Sequence, residues 1–136
     1  MSETGRRSAG LLLHRRGADG VEVWIAHMGG PFWARKEERA WSVPKGEREP
    51  GDPDDLAVAR REFAEEIGTP APPGEPIALG EFRYASGKVV AVFALEAPDF
   101  DPAEVVSDTF ELEWPPRSGR RQAFPEVDRA AWVPLP

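Results

Sequence analysis

Three glutamates in the middle of the chain have the spacing of neighbours on one side of a helix. Glu62, Glu65 and Glu66 fall within a stretch of five residues. Successive residues of a helix turn by about 100°, so Glu62 and Glu66 lie nearly above one another with Glu65 beside them. Like charges at this spacing repel by a few tenths of a kcal/mol. Positive charge from neighbouring side chains or from a bound cation should therefore offset this repulsion.

Two interpretations of this trio are open from the residues alone. The first is a solvated acidic helix face, with Arg60 and Arg61 as surface partners, and it is the more common situation for glutamates on an arbitrary helix. The second is a site for a hard cation, because oxygen ligands suit magnesium or manganese, and magnesium binds substrate phosphates alongside a few carboxylates. The surrounding sequence decides between them.

The trio belongs to a longer pattern. The segments are Pro44-Lys45-Gly46, then Pro50-Gly51-Asp52, then Arg61-Glu62-Phe63-Ala64-Glu65-Glu66-Ile67-Gly68. This pattern resembles the Nudix box, the loop-helix-loop signature of the MutT-like Nudix hydrolase superfamily. It departs from the box in three ways: Gly46 to Arg61 is one residue too long, Asp52 replaces a glutamate, and Thr69 replaces an apolar residue. The trio is untouched, but the departures put in doubt the support that a loop carboxylate usually gives to Arg61.

The resemblance implies an α/β fold and a reaction. The fold is the Nudix α/β/α sandwich, with a mixed sheet and one strong box helix, as a single domain over residues 1–136. The reaction is divalent-metal-dependent hydrolysis of a diphosphate bond in a nucleoside diphosphate-linked substrate, in which metals neutralise the diphosphate and orient the attacking water. The implied ligands of Mg²⁺, or of Mn²⁺, are the glutamate trio and the backbone carbonyl of Gly46.

The catalytic group expected from the resemblance is Arg61, Glu65 and Glu66. The general base is open: Glu65 or Glu66 is the first choice, since a partly free carboxylate accepts a proton from a metal-activated water. Carboxylates of later segments are the other candidates, namely Glu111, Glu113 and Glu126.

Six residues are candidates for binding the substrate. Lys45 could reach a phosphate, with a surface salt bridge as the alternative. Phe32 and Trp33 follow Gly29-Gly30-Pro31 and could stack on a base, or could instead form a hydrophobic plug. Arg117, Arg120 and Arg121 form the most basic segment of an acidic chain, and arginine forks bind phosphate well, although a solvated loop is the simpler interpretation. Together these segments resemble a bacterial Nudix subgroup whose substrate the residues do not identify.

Local signals predict the elements that position these residues. Asp52 as N-cap, Pro53 in the first turn and Gly68 after the last turn predict a helix over about residues 53–67. Its apolar stripe comprises Leu56, Ala59, Phe63 and Ile67. Alternating apolar runs predict hairpins from residues 8–13 with 21–27 and from 77–84 with 88–97, together with short strands at 40–43, 109–114 and 130–133. The resemblance leaves open whether a further C-terminal helix follows Pro136.

Composition bounds the class of partner. With 136 residues and a formal net charge of -7, the chain fits one domain and lacks the basic face of a protein that binds a nucleic acid duplex. It has no cysteine, which excludes disulfides and suits a cytoplasmic location. No apolar run is long enough for a membrane span. The expected partner is a small nucleotide or other diphosphate, and a homodimer is an open alternative.

Three functional hypotheses remain. The first is a hydrolase for dinucleoside polyphosphates or nucleoside triphosphates, and the second is a pyrophosphatase that removes oxidised nucleotides. The third is a Nudix-fold module that binds a ligand without hydrolysing it. The intact trio weighs against the third, because a site without a metal has no physical need for repelling carboxylates.

Overall fold

A long strand near the N-terminus is the element to which the rest of the sheet is added. The computed structural model of the chain describes residues 6–31 and 41–135. Its elements in chain order are β1 (Arg7–Gly17), β2 (Gly20–Met28), β3 (Trp41–Ser42), β4 (Lys45–Glu47), α1 (Asp55–Ile67), β5 (Ile77–Arg83), β6 (Val89–Glu96), β7 (Thr109–Glu113), β8 (Arg121–Pro125) and β9 (Val127–Pro134). Phe32 and Trp33 lie outside the described residues.

The main sheet is mixed. β1 pairs antiparallel with β2 through the turn between Gly17 and Gly20, and parallel with β6 on its other side. β5 extends the sheet beyond β6, and β9 extends it beyond β2. The short strand β4 pairs with the first part of β1, and β3 with the last part of β2. β7 and β8 form a separate two-stranded hairpin.

The helix begins two residues after Pro53 and ends where the sequence predicts. Asp54, not Asp52, is the N-cap: its carboxylate accepts a hydrogen bond from the backbone N–H of Ala57 at 2.8 Å. The expected cap was wrong because Asp52 is held elsewhere, by Arg61 and by the backbone N–H of Glu49. Gly68 closes the helix in the left-handed conformation at φ 82°, donating its N–H to the carbonyl of Ala64, a conformation that glycine adopts without strain.

The core lies between α1 and one face of the sheet. Val58, Ala59, Phe63 and Ile67 of the helix are fully buried. They belong to one cluster with the alternating residues Ala9, Leu11 and Leu13 of β1. The ring of Phe63 lies 5.8 Å from that of Trp24 on β2. Burial of one such side chain contributes about 1.5–3 kcal/mol, so the core fixes the helix, and the glutamates on it, against β1.

The predicted hairpins are confirmed, and two strands were not foreseen. β5 and β6 turn around Ser86 and Gly87, as their sequence indicates. β4 and β8 were not predicted, and β9 is longer than the predicted strand at residues 130–133. A mixed sheet with one strong helix packed on it is the α/β arrangement expected from the sequence. None of the described residues forms a helix with the length and apolarity needed to cross a membrane.

Candidate active site

The helix carries its glutamates against the short strand β4. The backbone N–H of Lys45 donates to Oε1 of Glu66 at 3.3 Å. A Cβ placed on Gly46 would lie 1.9 Å from Oε1 of Glu62, a distance that no side chain tolerates. Glycine at position 46 therefore lets the Glu62 carboxylate pack directly on the β4 backbone.

Arg61 ties the loop before the helix to two glutamates of the trio. Its Nε and Nη2 donate to the two carboxylate oxygens of Asp52 at 3.1 and 2.8 Å. Its Nη1 donates to Glu62 at 2.6 Å and to Glu65 at 3.1 Å. Hydrogen bonding from Arg61 lowers the pKa of Asp52. Asp52 thus gives Arg61 the carboxylate support that the sequence departures had put in doubt.

Glu66 faces a cleft that it shares with a second carboxylate. The cleft has a volume of about 280 Å³, and its lining includes Lys45, Glu66, Phe110 and Glu126; we call it the acidic cleft. Burial raises the pKa of Glu66 to about 8, opposed by the N–H of Lys45 and aided by the charges of Glu126 and Glu62. Without a cation, the Glu66 carboxyl is therefore largely protonated near neutral pH.

The neighbouring carboxylates share this environment. Burial is the first cause of a raised pKa at Glu62, where the hydrogen bond from Arg61 opposes it. Burial also raises the pKa of Glu126, and the charges of Asp108 and Glu65 add to the effect. The charged form of each carboxyl is thus disfavoured in this environment, and a bound cation would stabilise it.

Backbone hydrogen bonds place Glu126 at the cleft. Its carbonyl accepts from Gly29 at 2.9 Å, and its N–H donates to the carbonyl of Asp108 at 2.9 Å. The N–H of Asp108 in turn donates to the carbonyl of Glu65 at 2.9 Å. A Cβ on Gly29 would lie 2.1 Å from the carbonyl oxygen of Pro125, so this close approach also requires glycine. Glu126 was one of several base candidates from the sequence, and this network places it at the cleft.

The arginine segment lies at the other end of its hairpin from the cleft. Phe110, at the start of β7, lines the cleft, whereas Arg121 pairs with Glu113 at the end of that strand. Three residues of strand separate the two positions by about 10 Å. Arg121 donates to Glu111 at 3.0 Å, and Glu113 accepts from the backbone of Gly119 at 2.9 Å. Arg117 and Arg120 are exposed in the turn.

The donor set fits a hard divalent cation. Carboxylates and a glycine backbone carbonyl are the ligands that magnesium and manganese prefer. In residues 6–31 and 41–135 no three acidic or histidine side chains form a ready cluster, because Glu62 and Glu65 are turned to Arg61 while Glu66 faces the cleft. The Gly46 cradle and the raised pKa values of Glu62 and Glu66 are the features that a cation would explain.

Comparisons with known proteins define the class. The sequence matches the NUDIX domain family over residues 4–136, so the chain belongs to that family. A search of curated proteins found no match.

Solved structures share the fold at low identity. The NUDIX hydrolase from Alicyclobacillus acidocaldarius is 18% identical, with a TM-score of 0.64 over 95% of this chain and 78% of that one. The C. elegans Ap4A hydrolase in a binary complex is 19% identical, with a TM-score of 0.57 over 92% and 77%. The C-terminal domain of mouse MUTYH, solved with human PCNA, is 19% identical, with a TM-score of 0.56 over 94% and 72%. The expected Nudix fold is confirmed.

Proposed function

We propose that the chain is a hydrolase that cleaves a diphosphate bond in a nucleoside diphosphate-linked small molecule. The observation that carries the proposal is the packing of Glu62 on Gly46 beside a half-buried Glu66, with Arg61 hydrogen-bonded to the box carboxylates. A merely solvated acidic face has no reason to bury carboxylates at a glycine cradle. The family membership and the Ap4A hydrolase of the same fold agree with this chemistry.

The residues that would hold a divalent cation are Glu62, Glu65, Glu66 and the backbone carbonyl of Gly46. Magnesium is the first choice and manganese the second. When bound, such an ion neutralises diphosphate charge and lowers the pKa of a coordinated water. Arg61 would hold Glu62 and Glu65 near the site in the absence of metal, and the two carboxylates would turn from Arg61 toward the ion when it binds.

Glu126 is the carboxylate we favour for accepting a proton from the attacking water. Of the candidates drawn from the sequence, Glu65 is bonded to Arg61, and Glu111 and Glu113 face the hairpin residues Arg121 and Gly119. Glu66 lies in the cleft but is also a proposed ligand. Glu126 lies in the same cleft, and burial raises its pKa above the ordinary value for a glutamate, which makes it a stronger base.

The lining of the acidic cleft indicates which residues would contact the substrate. Lys45 lines it and would bind a phosphate by its ammonium group. Phe32 and Trp33, and also Arg117, Arg120 and Arg121, stay proposed substrate-binding residues. Dinucleoside polyphosphates and nucleoside triphosphates are the favoured substrates.

We place this activity in the cytoplasm, with no duplex nucleic acid and no membrane as partner. Sedimentation would decide whether the chain forms a homodimer.

A non-catalytic binding module is the alternative from another class. The same fold occurs in the MUTYH domain solved with PCNA, so a protein partner is compatible with it. The discriminating experiment is a panel of nucleotides incubated with magnesium and then with manganese, with release of phosphate or nucleoside monophosphate as the readout. Turnover of one nucleotide that is lost in Glu66→Gln supports the hydrolase. Tight binding of a nucleotide with no turnover of any would favour the module.

A further inference from the structure

A second cavity adjoins the acidic cleft on the sheet face opposite α1. It has a volume of about 350 Å³, and its lining includes Leu12, Leu79, Phe82, Tyr84, Val90 and Val92; we call it the apolar pocket. Leu12 alternates along β1 with the core residues Leu11 and Leu13, so its side chain points to the opposite face of the sheet. The pocket is therefore separate from the core.

The two cavities share a wall. Ser42, Val43 and Lys45 line both of them. A molecule that extends past Lys45 thus meets carboxylates on one side and an apolar surface on the other. The volumes of about 280 and 350 Å³ together suit a drug-sized ligand, since ligand sites span roughly 300–1,000 Å³.

The side chains of the apolar pocket are unusually exposed for their type. Leu79 is 51% exposed, Phe82 50% and Tyr84 46%. Large apolar side chains gathered at a concave site mark a place where a ligand or a partner is bound. Phe82 stands opposite Val90 in the β5–β6 ladder, so its ring is held on a regular strand and not on a loop.

We infer that the apolar pocket holds the nucleobase of the substrate whose diphosphate lies in the acidic cleft, an inference that rests on the proposed function. Lys45, at the wall between the cavities, is where a phosphate next to the nucleoside would lie. Phe82 and Tyr84 offer aromatic faces, and bases stack favourably on such faces whatever their identity. The wall shared with the acidic cleft favours a substrate over a protein partner as the occupant of the pocket.

The lining of the apolar pocket also determines how strongly it discriminates between nucleobases. Ser42, Lys45 and Tyr84 are the polar side chains among the described residues of the pocket, and the Ser42 hydroxyl already donates to the carbonyl of Val43 at 3.2 Å. Strong discrimination between related ligands needs several hydrogen-bonding groups, whereas apolar contact discriminates only weakly. The described part of the lining therefore favours binding of any base over discrimination between bases, which disfavours an enzyme dedicated to oxidised nucleotides.

A binding experiment tests the site without relying on turnover. Adenosine monophosphate and ribose 5-phosphate, which lacks the base, are titrated with magnesium into the wild type, Phe82→Ala, Leu79→Ala and the control Ile77→Ala. Ile77 is exposed on the same strand and does not line the pocket. The nucleotide should bind the wild type at least tenfold more tightly than the sugar phosphate. Either pocket variant should remove most of that difference, and Ile77→Ala should retain it.

Two outcomes would overturn the inference. One is equal binding of the two probes, or a difference that survives in both folded pocket variants. The other is a dimer seen by sedimentation that Phe82→Ala dissociates, which would assign the face to a second copy of the chain. If the base binds at Phe82 but no diphosphate is hydrolysed, the proposed hydrolase function is wrong, whereas the assignment of the apolar pocket as a base-binding site is confirmed.

A kinetic comparison tests the specificity. Turnover of dGTP and of its 8-oxo derivative should give kcat/KM values within about a hundredfold of each other, the scale of discrimination in an apolar pocket. A preference of a thousandfold for the oxidised nucleotide would refute weak base discrimination.

Discussion

Arg61 donates two parallel hydrogen bonds to the carboxylate of Asp52, from Nε at 3.1 Å and from Nη2 at 2.8 Å. The same guanidinium bonds to Glu62 and Glu65, so a loop residue outside the helix influences the orientation of the metal-binding candidates. Forked arginine–carboxylate pairs are stronger and more directional than single hydrogen bonds. The consequences of this pairing can be tested one residue at a time.

Replacing Asp52 by Asn should lower turnover about ten- to a hundredfold, the scale seen when partners of metal ligands are changed. The amide keeps the size of the side chain but removes the charge that anchors Arg61. The Asn amide oxygen can still accept one hydrogen bond from Arg61, so the fold should survive with only a small fall in Tm. Steady-state kinetics and thermal melts measure the two effects.

The matched control is Asp54→Asn, the same charge change two positions away. Asn caps a helix about as well as Asp, and Asp54 accepts its hydrogen bond from Ala57, so turnover should be unchanged. Equal loss of turnover in the two variants would mean that the charge of the loop, and not the Asp52–Arg61 pair, is what matters.

Glu66→Gln should cost on the order of a hundredfold or more in turnover, the scale seen when one preorganised electrostatic group is lost. Folding should survive, since the substitution removes a buried carboxyl whose charge is disfavoured. Glu62→Gln should behave similarly, and added magnesium should recover part of the rate in both. Glu96→Gln, an exposed position on β6, is the control. An active Glu66→Gln enzyme would remove Glu66 from the site, and an unfolded one by circular dichroism would make it structural.

Without metal, stability should fall as pH rises between about 5 and 8. Burial raises the pKa of Glu66 from 4.5 to about 8 in the folded state, so in this window the folded protein holds a proton that the unfolded chain has released. Stability from this group is full below the unfolded pKa and is lost as pH rises through the folded one. Glu62 and Glu126 shift in the same direction.

Melting curves in a chelator at pH 6 and pH 8 measure this effect. Magnesium should raise Tm more at pH 8 than at pH 6, because it binds the ionised carboxylates. In Glu66→Gln the pH dependence should be smaller. A Tm that rises with pH over this range in the chelator would contradict the assignment.

Gly46→Ala should destabilise the fold by about 1–3 kcal/mol, the usual cost of overpacking. The new methyl would lie 1.9 Å from Oε1 of Glu62, so the carboxylate must leave its place. In a Glu62→Ala background the same change should cost much less, since the clashing group is gone. Denaturant unfolding of the four proteins gives the coupling energy. Additive effects would show that Glu62 does not pack on Gly46.

The sequence predicted those features that depend on local order. Helical spacing places Glu62, Glu65 and Glu66 on one side of α1, and alternation with turn residues predicts the hairpins. That the trio binds a metal comes from the resemblance to the Nudix box and stays a prediction. The N-cap could not be predicted in the same way, because Asp52, Asp54 and Asp55 all lie close to Pro53. Arg61 forms hydrogen bonds to Asp52, which leaves Asp54 to cap the helix, and this contact is visible only in the folded chain.

Non-local contacts explain what the sequence could not rank or predict. Glu126 was one of several candidates for the general base, and it reaches the cleft through hydrogen bonds to Gly29 and Asp108, residues that no spacing pattern links to it. β4 is three residues long and exists because β1 offers it a partner, so it carries no periodic signal of its own. The apolar pocket likewise forms only when β1, β5 and β6 are assembled.

The final prediction concerns the arginine turn. Arg120→Ala should raise KM for a dinucleoside polyphosphate several-fold and reduce the salt dependence of that KM, while leaving KM for a short nucleoside diphosphate derivative unchanged. The reason is distance: the turn lies about 10 Å along β7 from Phe110 at the cleft, so only a long anionic substrate reaches it. Exposed charges also act through solvent, and salt screens them over about a Debye length. The matched control is Arg16→Ala, an exposed arginine of the first hairpin, which should change neither KM nor its response to salt. If KM for the long substrate is the same in the wild type and in Arg120→Ala at every salt concentration, the turn is a solvated surface. If the short substrate is affected equally, the turn acts on the cleft itself and the argument from distance is wrong.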